Sequence, residues 1–342
     1  MQTSTPFYQA SSDEQVQRLA ELAHAAMPQW GLTGPGVSPV AYRENMTFRV
    51  DAVGRGAFAF RIHQANYRTD AHIQSELDLM ACLNGAGILT PVVVPTTSGA
   101  LFTTVLSAAV PEPRQCDLFE WIEGKPLRQT GEAFSTPLPE LERSYREVGR
   151  IAASIHDALK RWERPAGFER PTWDCEGIFG ANAHLGDFRR LTGVTEGQQR
   201  LLLDIAGKLT DKLTAFGQAP DRYGLCHGDF LAENVFVCDD GIRLLDFDDS
   251  GDSWYLLELT TAVFDLLDAP SFEPCMAAIV SGYRELRPLP EEHLAMLPAF
   301  VLARTLSYLG WCAKKTHMPQ TAWMQPLLLA AAEKHGPPFL RL

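Results

Sequence analysis

One stretch of twenty-three residues, Leu225 to Phe247, constrains the fold of this chain more than any other. It contains Asp229, an asparagine five residues later at Asn234, and a second aspartate twelve residues beyond that at Asp246. Two short apolar runs between Asn234 and Asp246 flank the sequence Asp-Asp-Gly at 239–241, a pattern typical of a β-hairpin. If those three residues form the loop, Asn234 lies opposite Asp246.

This expected register has a chemical consequence. Directly opposed residues on one face of a sheet have Cβ atoms about 4.5–5.5 Å apart. An amide oxygen from Asn234 and a carboxylate from Asp246 at that separation can hold one hard cation, typically Mg²⁺. Asp229 lies one short loop away from this expected cation, which indicates a phosphoryl-transfer site. The alternative is that Asp and Asn side chains near a turn satisfy backbone groups only.

Length and composition bound the remaining possibilities. A chain of 342 residues can form two lobes around a cleft. The net charge of −12 argues against non-specific binding to nucleic acid or to an anionic membrane. The seven cysteines include no Cys-x-x-Cys pair and indicate reduced thiols. The longest apolar run, 295–311, is interrupted by Arg304, and the N-terminus lacks a signal-peptide pattern. We expect a cytoplasmic protein, a monomer or homodimer.

Secondary-structure signals change character near Glu123. A capping box at Ser11 starts a first helix, and Asp70 is expected to cap a second at 71–84. Strand patterns precede Glu123, and helical patterns dominate after it. We therefore expect an α+β fold with a β-rich lobe at 1–118, a hinge at 119–124 and an α-helical lobe at 125–342. The expected strands cover residues 47–50, 57–62, 88–94, 100–106 and 116–122, and the later helices 141–159, 196–216, 254–268, 272–283, 291–315 and 321–333.

Arg61 and Glu76 are charged residues in apolar surroundings. Arg61 falls in the middle of an apolar strand, and Glu76 borders the apolar stripe of the helix at 71–84. A carboxylate that faces inward is costly to desolvate without a partner. Arg61 is the expected partner, and a strand cation held by a helix glutamate is a phosphate-binding device in phosphoryl transfer. The alternative is an ordinary structural ion pair.

These motifs resemble those of the aminoglycoside phosphotransferase superfamily, which has a bilobal protein-kinase-like fold. The resemblance rests on His227-Gly-Asp229-x4-Asn234, on Asp246 followed by Phe, Asp248 and Asp249, and on the pairing of Arg61 with Glu76. It covers about residues 40–315. Relatives in this superfamily include homoserine kinases of type II, choline kinases, hydroxylysine kinases and the bacterial stress-response kinase.

The resemblance implies roles for residues of the second lobe. Within a catalytic loop at 227–234, Asp229 would orient the acceptor hydroxyl and take its proton. Asn234 and Asp246 would hold Mg²⁺ against the β- and γ-phosphates of ATP, Asp246 as the start of a metal-binding segment at 246–249. The roles of Asp248 and Asp249 stay open between a second cation, a basic substrate and solvent.

The resemblance also implies a nucleotide site in the first lobe. Arg61, anchored by Glu76, would contact the phosphates. No Gly-x-Gly-x-x-Gly loop precedes Arg61, so Asn45 and Thr47 would cover the phosphates instead. Backbone groups from Glu120 to Ile122 would bind the adenine edge.

Two further departures from the superfamily pattern stand out. Arg61 occupies the position at which protein kinases use lysine, and the two cations are not interchangeable. The helix after Gly251 lacks an aspartate that many relatives carry, and carries Glu258. Asp252 is expected to cap that helix. We further expect His227 to organise the backbone and His156 to be a hydrogen-bonded core residue.

The sequence predicts an ATP- and Mg²⁺-dependent O-phosphotransferase. Its acceptor would be a small hydroxylated molecule, an amino alcohol, an amino acid or an aminoglycoside-like compound. One alternative is a Ser/Thr protein kinase of the stress-response type. Another is a nucleotide-binding module without catalysis, although the complete set of Asp229, Asn234 and Asp246 argues against it.

Overall fold

A computed structural model describes residues 5–128, 136–239 and 241–342, and these residues divide into two units. The first unit contains the described residues of Met1–Gly124, Arg164–Glu169 and Cys238–Arg243, and the second those of Lys125–Glu163, Arg170–Val237 and Leu244–Leu342. The first is rich in strands and the second in helices. The expected α+β class is confirmed.

The first unit is built on a sheet whose described strands have the order β1-β2-β3-β5-β4. A helix precedes this sheet and a second lies between β3 and β4 in the chain. The elements are α1 (Ser12–Ala26), β1 (Gly36–Tyr42), β2 (Met46–Ala52), β3 (Gly56–Ile62), α2 (Asp70–Gly85), β4 (Phe102–Val105) and β5 (Arg114–Glu120).

Alternation along β2 and β3 explains the core of the first unit. Phe48 lies opposite Phe60, and Val50 lies opposite Phe58, in the antiparallel pair. All four side chains are buried, in one cluster that includes Leu22 of α1. Because successive side chains of a strand point to opposite faces, Arg61 lies on the other face of β3 from Phe60. The alternation therefore commits one face of the sheet to the core and Arg61 to the opposite face.

Two local expectations for the first unit are wrong. Helix α2 is capped by Thr69, whose hydroxyl accepts a hydrogen bond from the His72 amide, whereas Asp70 is the first helical residue. The strand expected at 88–94 is reduced to an isolated bridge between Val93 and Phe119. Pro91 lies within that segment and has no N–H to give to a ladder.

The remaining elements lie in the second unit, apart from Cys238 and residues 241–243, which belong to the first. They are β6 (Lys125–Pro126), α3 (Leu138–Arg161), β7 (Thr172–Trp173), α4 (Cys175–Phe179), α5 (Glu196–Phe216), β8 (Tyr223–Cys226), β9 (Val235–Cys238), β10 (Gly241–Leu244), β11 (Gly251–Trp254), α6 (Tyr255–Ala262), α7 (Phe272–Arg284), α8 (Glu291–Leu294), α9 (Leu297–Lys314) and α10 (Thr321–Leu340). Strands β7, β11 and β8 form one small sheet, and β6 pairs with β9.

Three details of the second unit differ from expectation. The helix expected at 254–268 ends at Ala262 and is followed by a short 3₁₀ turn. The helix expected at 291–315 is broken into α8 and α9, with Pro298 in the first turn of α9, where a missing N–H costs nothing. Asp252 lies in β11 and is not a helix cap, because the N-cap of α6 is Trp254.

The segment Glu291–Lys314 is, among the described residues, long and apolar enough to span a membrane. However, 67% of its apolar window is buried inside the protein. Helix α9 packs against both α6 and α10. This burial is the pattern of a core helix.

Candidate functional site

The loop that carries Asp229 leaves β8 through His227 and Gly228. Gly228 has φ +87°, and a Cβ atom added there would lie 2.0 Å from the Asp249 carbonyl oxygen. His227 Nε2 donates to the Leu245 carbonyl at 2.9 Å, and its Nδ1 accepts from the Asp229 amide at 3.3 Å. His227 therefore organises the backbone on both sides, as expected.

Two buried charged side chains hold the Gly228 peptide groups. The Gly228 N–H donates to Glu258 Oε2 at 3.0 Å, and the Gly228 carbonyl accepts from Arg304 Nη2 at 2.7 Å. Arg304 Nε also donates to Thr261 Oγ1 at 2.8 Å. Glu258 and Thr261 lie on α6 and Arg304 on α9, so two core helices fix the residue before Asp229.

Glu258 is in turn fixed by His156 of α3. Their atoms Oε1 and Nε2 are 2.9 Å apart, and His156 Nδ1 lies 2.9 Å from the Tyr283 hydroxyl. Burial raises the pKa of Glu258, but the hydrogen bond and charge of His156 outweigh it and the net pKa is lowered. Cys226 brings a third potential metal ligand within 4.8 Å of these groups. Because both nitrogens of His156 and both oxygens of Glu258 have protein partners, the cluster is a hydrogen-bonded core, as expected for His156.

Both carboxylate oxygens of Asp229 have partners. The Asn234 amide Nδ2 lies 3.2 Å from Oδ2 and donates at 2.8 Å to the Asp229 backbone carbonyl. The Tyr308 hydroxyl lies 3.3 Å from Oδ1. Burial raises the pKa of Asp229 to about 6, against the opposing charge of Arg304. The side chain is thus fixed in orientation and more basic than an exposed aspartate.

The hairpin is present, but its register differs by one residue from expectation. Gly241 belongs to β10 and not to the loop, and Asp240 lies outside the described residues. The Leu245 amide donates to the Asn234 carbonyl at 2.9 Å, so Leu245 lies opposite Asn234. Asp246 follows with φ +64°, a left-handed conformation that is uncommon outside glycine. The expected pairing of Asn234 with Asp246 is therefore wrong as a strand register, because Gly241 belongs to β10 and Asp246 lies beyond the end of that strand.

The segment after Asp246 is held by the side chains of Arg170, two residues before β7, and of Trp173 in β7. Arg170 donates through Nε to the Ser250 carbonyl at 2.8 Å and through Nη2 to the Phe247 carbonyl at 2.9 Å. The Trp173 indole N–H donates to the Asp249 carbonyl at 2.8 Å. These bonds go to backbone oxygens, so they fix the course of 246–250.

In the first unit, the structure brings Arg61 and Glu76 together. Arg61 Nη1 donates to Glu76 Oε1 at 2.8 Å. A second carboxylate, Asp117 of β5, accepts from Arg61 Nε at 3.0 Å and from Nη2 at 2.7 Å. His63 Nε2 lies 3.0 Å from the same Asp117. The guanidinium is therefore held by two carboxylates, where the sequence indicated one.

The other expected nucleotide residues lie in the same unit as Arg61. Thr47 of β2 lies opposite Arg61 of β3 in the ladder. Asn45 begins this hairpin, and its Oδ1 accepts a hydrogen bond from the Gln64 amide at 3.1 Å. Glu120 ends β5 and is exposed, and Ile122 follows it half-buried.

Comparison with known proteins identifies the family. The profile of the phosphotransferase enzyme family (APH) matches residues 37–294. The chain belongs to the phosphotransferase enzyme family. It is therefore a phosphotransferase of the kinase type, as the motifs predicted.

Three relatives place this phosphotransferase more closely. An uncharacterized protein of Deinococcus radiodurans is 30% identical over 298 residues, 85% of this chain and 81% of that protein. A microcompartment-associated aminopropanol kinase of known structure has a TM-score of 0.79 and 32% identity, covering 92% of this chain and 95% of the other. An amicoumacin kinase solved with AMP-PNP and Ca²⁺ has a TM-score of 0.74 at 19% identity, covering 95% and 96%, and is similar in fold.

Sequence reasoning missed several residues that surround the candidate site of this phosphotransferase. Asp117 and Arg304 are buried charges inside apolar segments, the same signal that singled out Arg61. Tyr308 lies in an apolar helix and is buried like a core residue, but its hydroxyl lies 3.3 Å from Asp229 Oδ1. Arg170 carries no comparable signal, because the sequence around it does not reveal that it contacts the backbone at 247–250.

Proposed function

We propose that this protein is an ATP- and Mg²⁺-dependent kinase that transfers the γ-phosphoryl group to the hydroxyl of a small amino alcohol. The observation that carries the proposal is the fixation of Asp229, through both carboxylate oxygens and through the clamped Gly228 before it. The likeness at 32% identity to an aminopropanol kinase, over nearly the whole of both chains, supports an amino alcohol as acceptor.

Asp229 would serve the acceptor. The acceptor oxygen forms a bond to the γ-phosphorus while the bond from that phosphorus to the β–γ bridging oxygen breaks, which leaves ADP. The hydroxyl proton passes to an Asp229 carboxylate oxygen. Because Asn234 and Tyr308 restrict rotation of this carboxylate, it meets the hydroxyl in one orientation.

Asn234 and Asp246 fit a divalent cation by their chemistry. The Asn234 nitrogen is committed to Asp229, so its oxygen, the atom that a hard cation binds, lies on the other side of the amide. Asp246 offers a carboxylate from a left-handed backbone position, a conformation of the kind that recurs at functional sites. A cation held there supplies neutralisation of the β- and γ-phosphate charge. The amicoumacin kinase solved with AMP-PNP and Ca²⁺ supports the use of a nucleotide together with a divalent cation.

Residues of the first unit would hold the nucleotide. Arg61 would contact the phosphates with the N–H groups that Glu76 and Asp117 leave over. Thr47, opposite Arg61 on the neighbouring strand, and Asn45 would cover the phosphates. The backbone from Glu120 to Ile122 would bind the adenine edge.

The test is ADP release from ATP in the presence of a panel of alcohols. The panel contains 1-amino-2-propanol, ethanolamine, choline, homoserine, hydroxylysine and an aminoglycoside, each assayed with Mg²⁺ and with EDTA. We expect ADP release that requires both an amino alcohol and the cation. If none of these alcohols causes ADP release, and labelled phosphate is transferred to a generic protein substrate, the result would instead support a protein kinase.

Variants separate the role of Asp229 in turnover from the role of Asp246 in binding the cation. Asp229→Ala should lower turnover by about 10²–10⁴-fold, the usual contribution of a general base, and leave binding of ATP unchanged. Asp246→Ala should abolish the Mg²⁺-dependent part of ATP binding. Asp211→Ala, an exposed aspartate on α5, is the matched control and should change neither quantity. Wild-type turnover in Asp229→Ala would refute the mechanism.

A further inference from the structure

Two carboxylates accept hydrogen bonds from the guanidinium of Arg61, although a single anchoring glutamate would be enough to hold a strand cation. Arg61 lies directly opposite Asp117 in the β3–β5 ladder, and the two make a bidentate pair through Nε and Nη2. Glu76 accepts from the remaining terminal nitrogen, Nη1. The exposed fractions of the side chains are 11% for Arg61, 1% for Glu76 and 0% for Asp117.

We propose that Asp117 is a positioning residue for the nucleotide-binding cation, and that the two carboxylates of Asp117 and Glu76 are the reason that this position requires arginine. The proposal rests on the proposed function, because it gives Arg61 the role of phosphate contact. Asp117 itself need not touch the nucleotide.

The geometry of the guanidinium carries the argument. An arginine has five N–H groups in a fixed plane. Three of them are directed at Asp117 and Glu76, which leaves one on each terminal nitrogen, in a plane that the bidentate pair with Asp117 fixes. A lysine in the same place is a point charge without a fork, so it cannot reproduce the bidentate pair. Lysine at 61 would leave the buried Asp117 carboxylate with His63 and without the two parallel hydrogen bonds of the fork.

A buried carboxylate that loses part of its hydrogen bonding is strongly unfavourable, more so than a site in which the carboxylate has been neutralised as well. Substituting Arg61 alone should therefore be worse than substituting Arg61 and Asp117 in the same protein. A residue that acts only as a phosphate contact has no such dependence on Asp117.

The experiment is a double-mutant cycle with Arg61→Lys, Asp117→Asn and the double variant. Binding of ATP with Mg²⁺ is measured by calorimetry, KM for ATP and for the acceptor by ADP release, and stability by thermal unfolding. Asp117→Asn should weaken ATP binding by about ten- to a hundredfold, the factor for one or two charge-assisted hydrogen bonds, and raise KM for ATP but not KM for the acceptor. The double variant should bind ATP more tightly and unfold at a higher temperature than Arg61→Lys.

An exposed pair on the same sheet provides the matched control. Arg49 Nε lies 3.0 Å from Asp51 Oδ1, with both side chains on β2 and at least one-third exposed. Arg49→Lys, Asp51→Asn and their combination should show additive and small effects on thermal unfolding, as surface ion pairs do.

The outcomes are distinguishable. Wild-type protein that binds no ATP refutes the proposed function, and this inference with it. ATP binding in the wild type that is unchanged in Asp117→Asn overturns the positioning role alone. If Asp117→Asn lowers kcat and leaves both KM values unchanged, the variant has only reduced the amount of active enzyme. Asp117 is then merely structural, and the positioning role is also overturned. Additive effects in the cycle overturn the explanation for arginine.

Discussion

Gly228 offers the sharpest test of how the Asp229 loop is held. A Cβ atom at Gly228 would lie 2.0 Å from the Asp249 carbonyl oxygen and 2.7 Å from its carbon, closer than any packed contact allows. The residue also has φ +87°. A left-handed conformation costs an alanine about 1–2 kcal/mol, and overpacking costs about 1–3 kcal/mol. Gly228→Ala should therefore lower the free energy of unfolding by about 2–5 kcal/mol.

Gly193 separates the two contributions. It lies in the same unit with φ +73°, and an added Cβ would meet no atom within 4 Å. Gly193→Ala should cost only the backbone contribution, about 1–2 kcal/mol. The entropy that alanine removes from the unfolded chain is common to both variants and cancels in their difference.

Urea denaturation followed by circular dichroism measures both variants, and ADP release measures their turnover. We expect Gly228→Ala to be less stable than Gly193→Ala by about 1–3 kcal/mol. It should also lose turnover, because relief of the overlap moves the residue before Asp229, and Gly193→Ala should keep turnover. Equal stability of the two variants would refute the contact between Gly228 and Asp249. Full turnover in Gly228→Ala would refute the dependence of Asp229 on that contact.

Four further predictions concern the same two sites. Glu258→Ala removes the partner of the Gly228 N–H and of His156, so urea denaturation should show a loss of about 2–6 kcal/mol, and Glu258→Gln, which retains an acceptor, should lose less. Tyr308→Phe removes only a long hydrogen bond to Asp229, so kcat should fall by about three- to tenfold with an unchanged circular dichroism spectrum. Arg304→Lys keeps the charge but cannot bond both Gly228 and Thr261 in one plane, so kcat should fall while KM for ATP stays constant; equal falls in Arg304→Lys and Arg304→Met would show that only packing matters. Burial raises the pKa of Asp117, but the charges and hydrogen bonds of Arg61 and His63 outweigh it and hold the pKa well below the ordinary value. The stability from Asp117 is then complete above its unfolded pKa of about 4 and is lost as pH falls from there towards the lower folded pKa, so the unfolding free energy of wild type should decline below about pH 4 more steeply than that of Asp117→Asn.

The features that the sequence could predict are those with a local cause. The hairpin from β9 to β10 follows from two apolar runs and a turn cluster, and the pairing of Arg61 with Glu76 follows from a strand and the next helix. The register of the hairpin was wrong by one residue because Asp-Asp-Gly suits loops of two lengths, and Gly241 was assigned to the loop when it belongs to β10.

The features that could not be predicted join distant parts of the chain. Glu258 and Gly228 are 30 residues apart, Arg304 and Gly228 are 76 apart, and Arg61 and Asp117 are 56 apart. A buried charge in an apolar segment signals that a partner exists, because an unpaired one is too costly. The signal does not choose the partner, since that choice depends on how helices and strands pack in three dimensions.

Arg61 and Arg304 show one physical principle in two places. Arg304 is buried and the Arg61 side chain is 11% exposed, and each directs planar N–H groups at more than one acceptor: two carboxylates for Arg61, and a carbonyl and a hydroxyl for Arg304. A guanidinium that makes several hydrogen bonds in one plane has fewer orientations than the ammonium of a lysine, so the groups it holds are fixed as well. For Arg61 the fixed group is the guanidinium itself, and for Arg304 it is the peptide before Asp229. In both places one acceptor is distant in the sequence, since Asp117 lies 56 residues from Arg61 and Gly228 lies 76 residues from Arg304. The cation and its acceptors must therefore change together if either is to be replaced without loss.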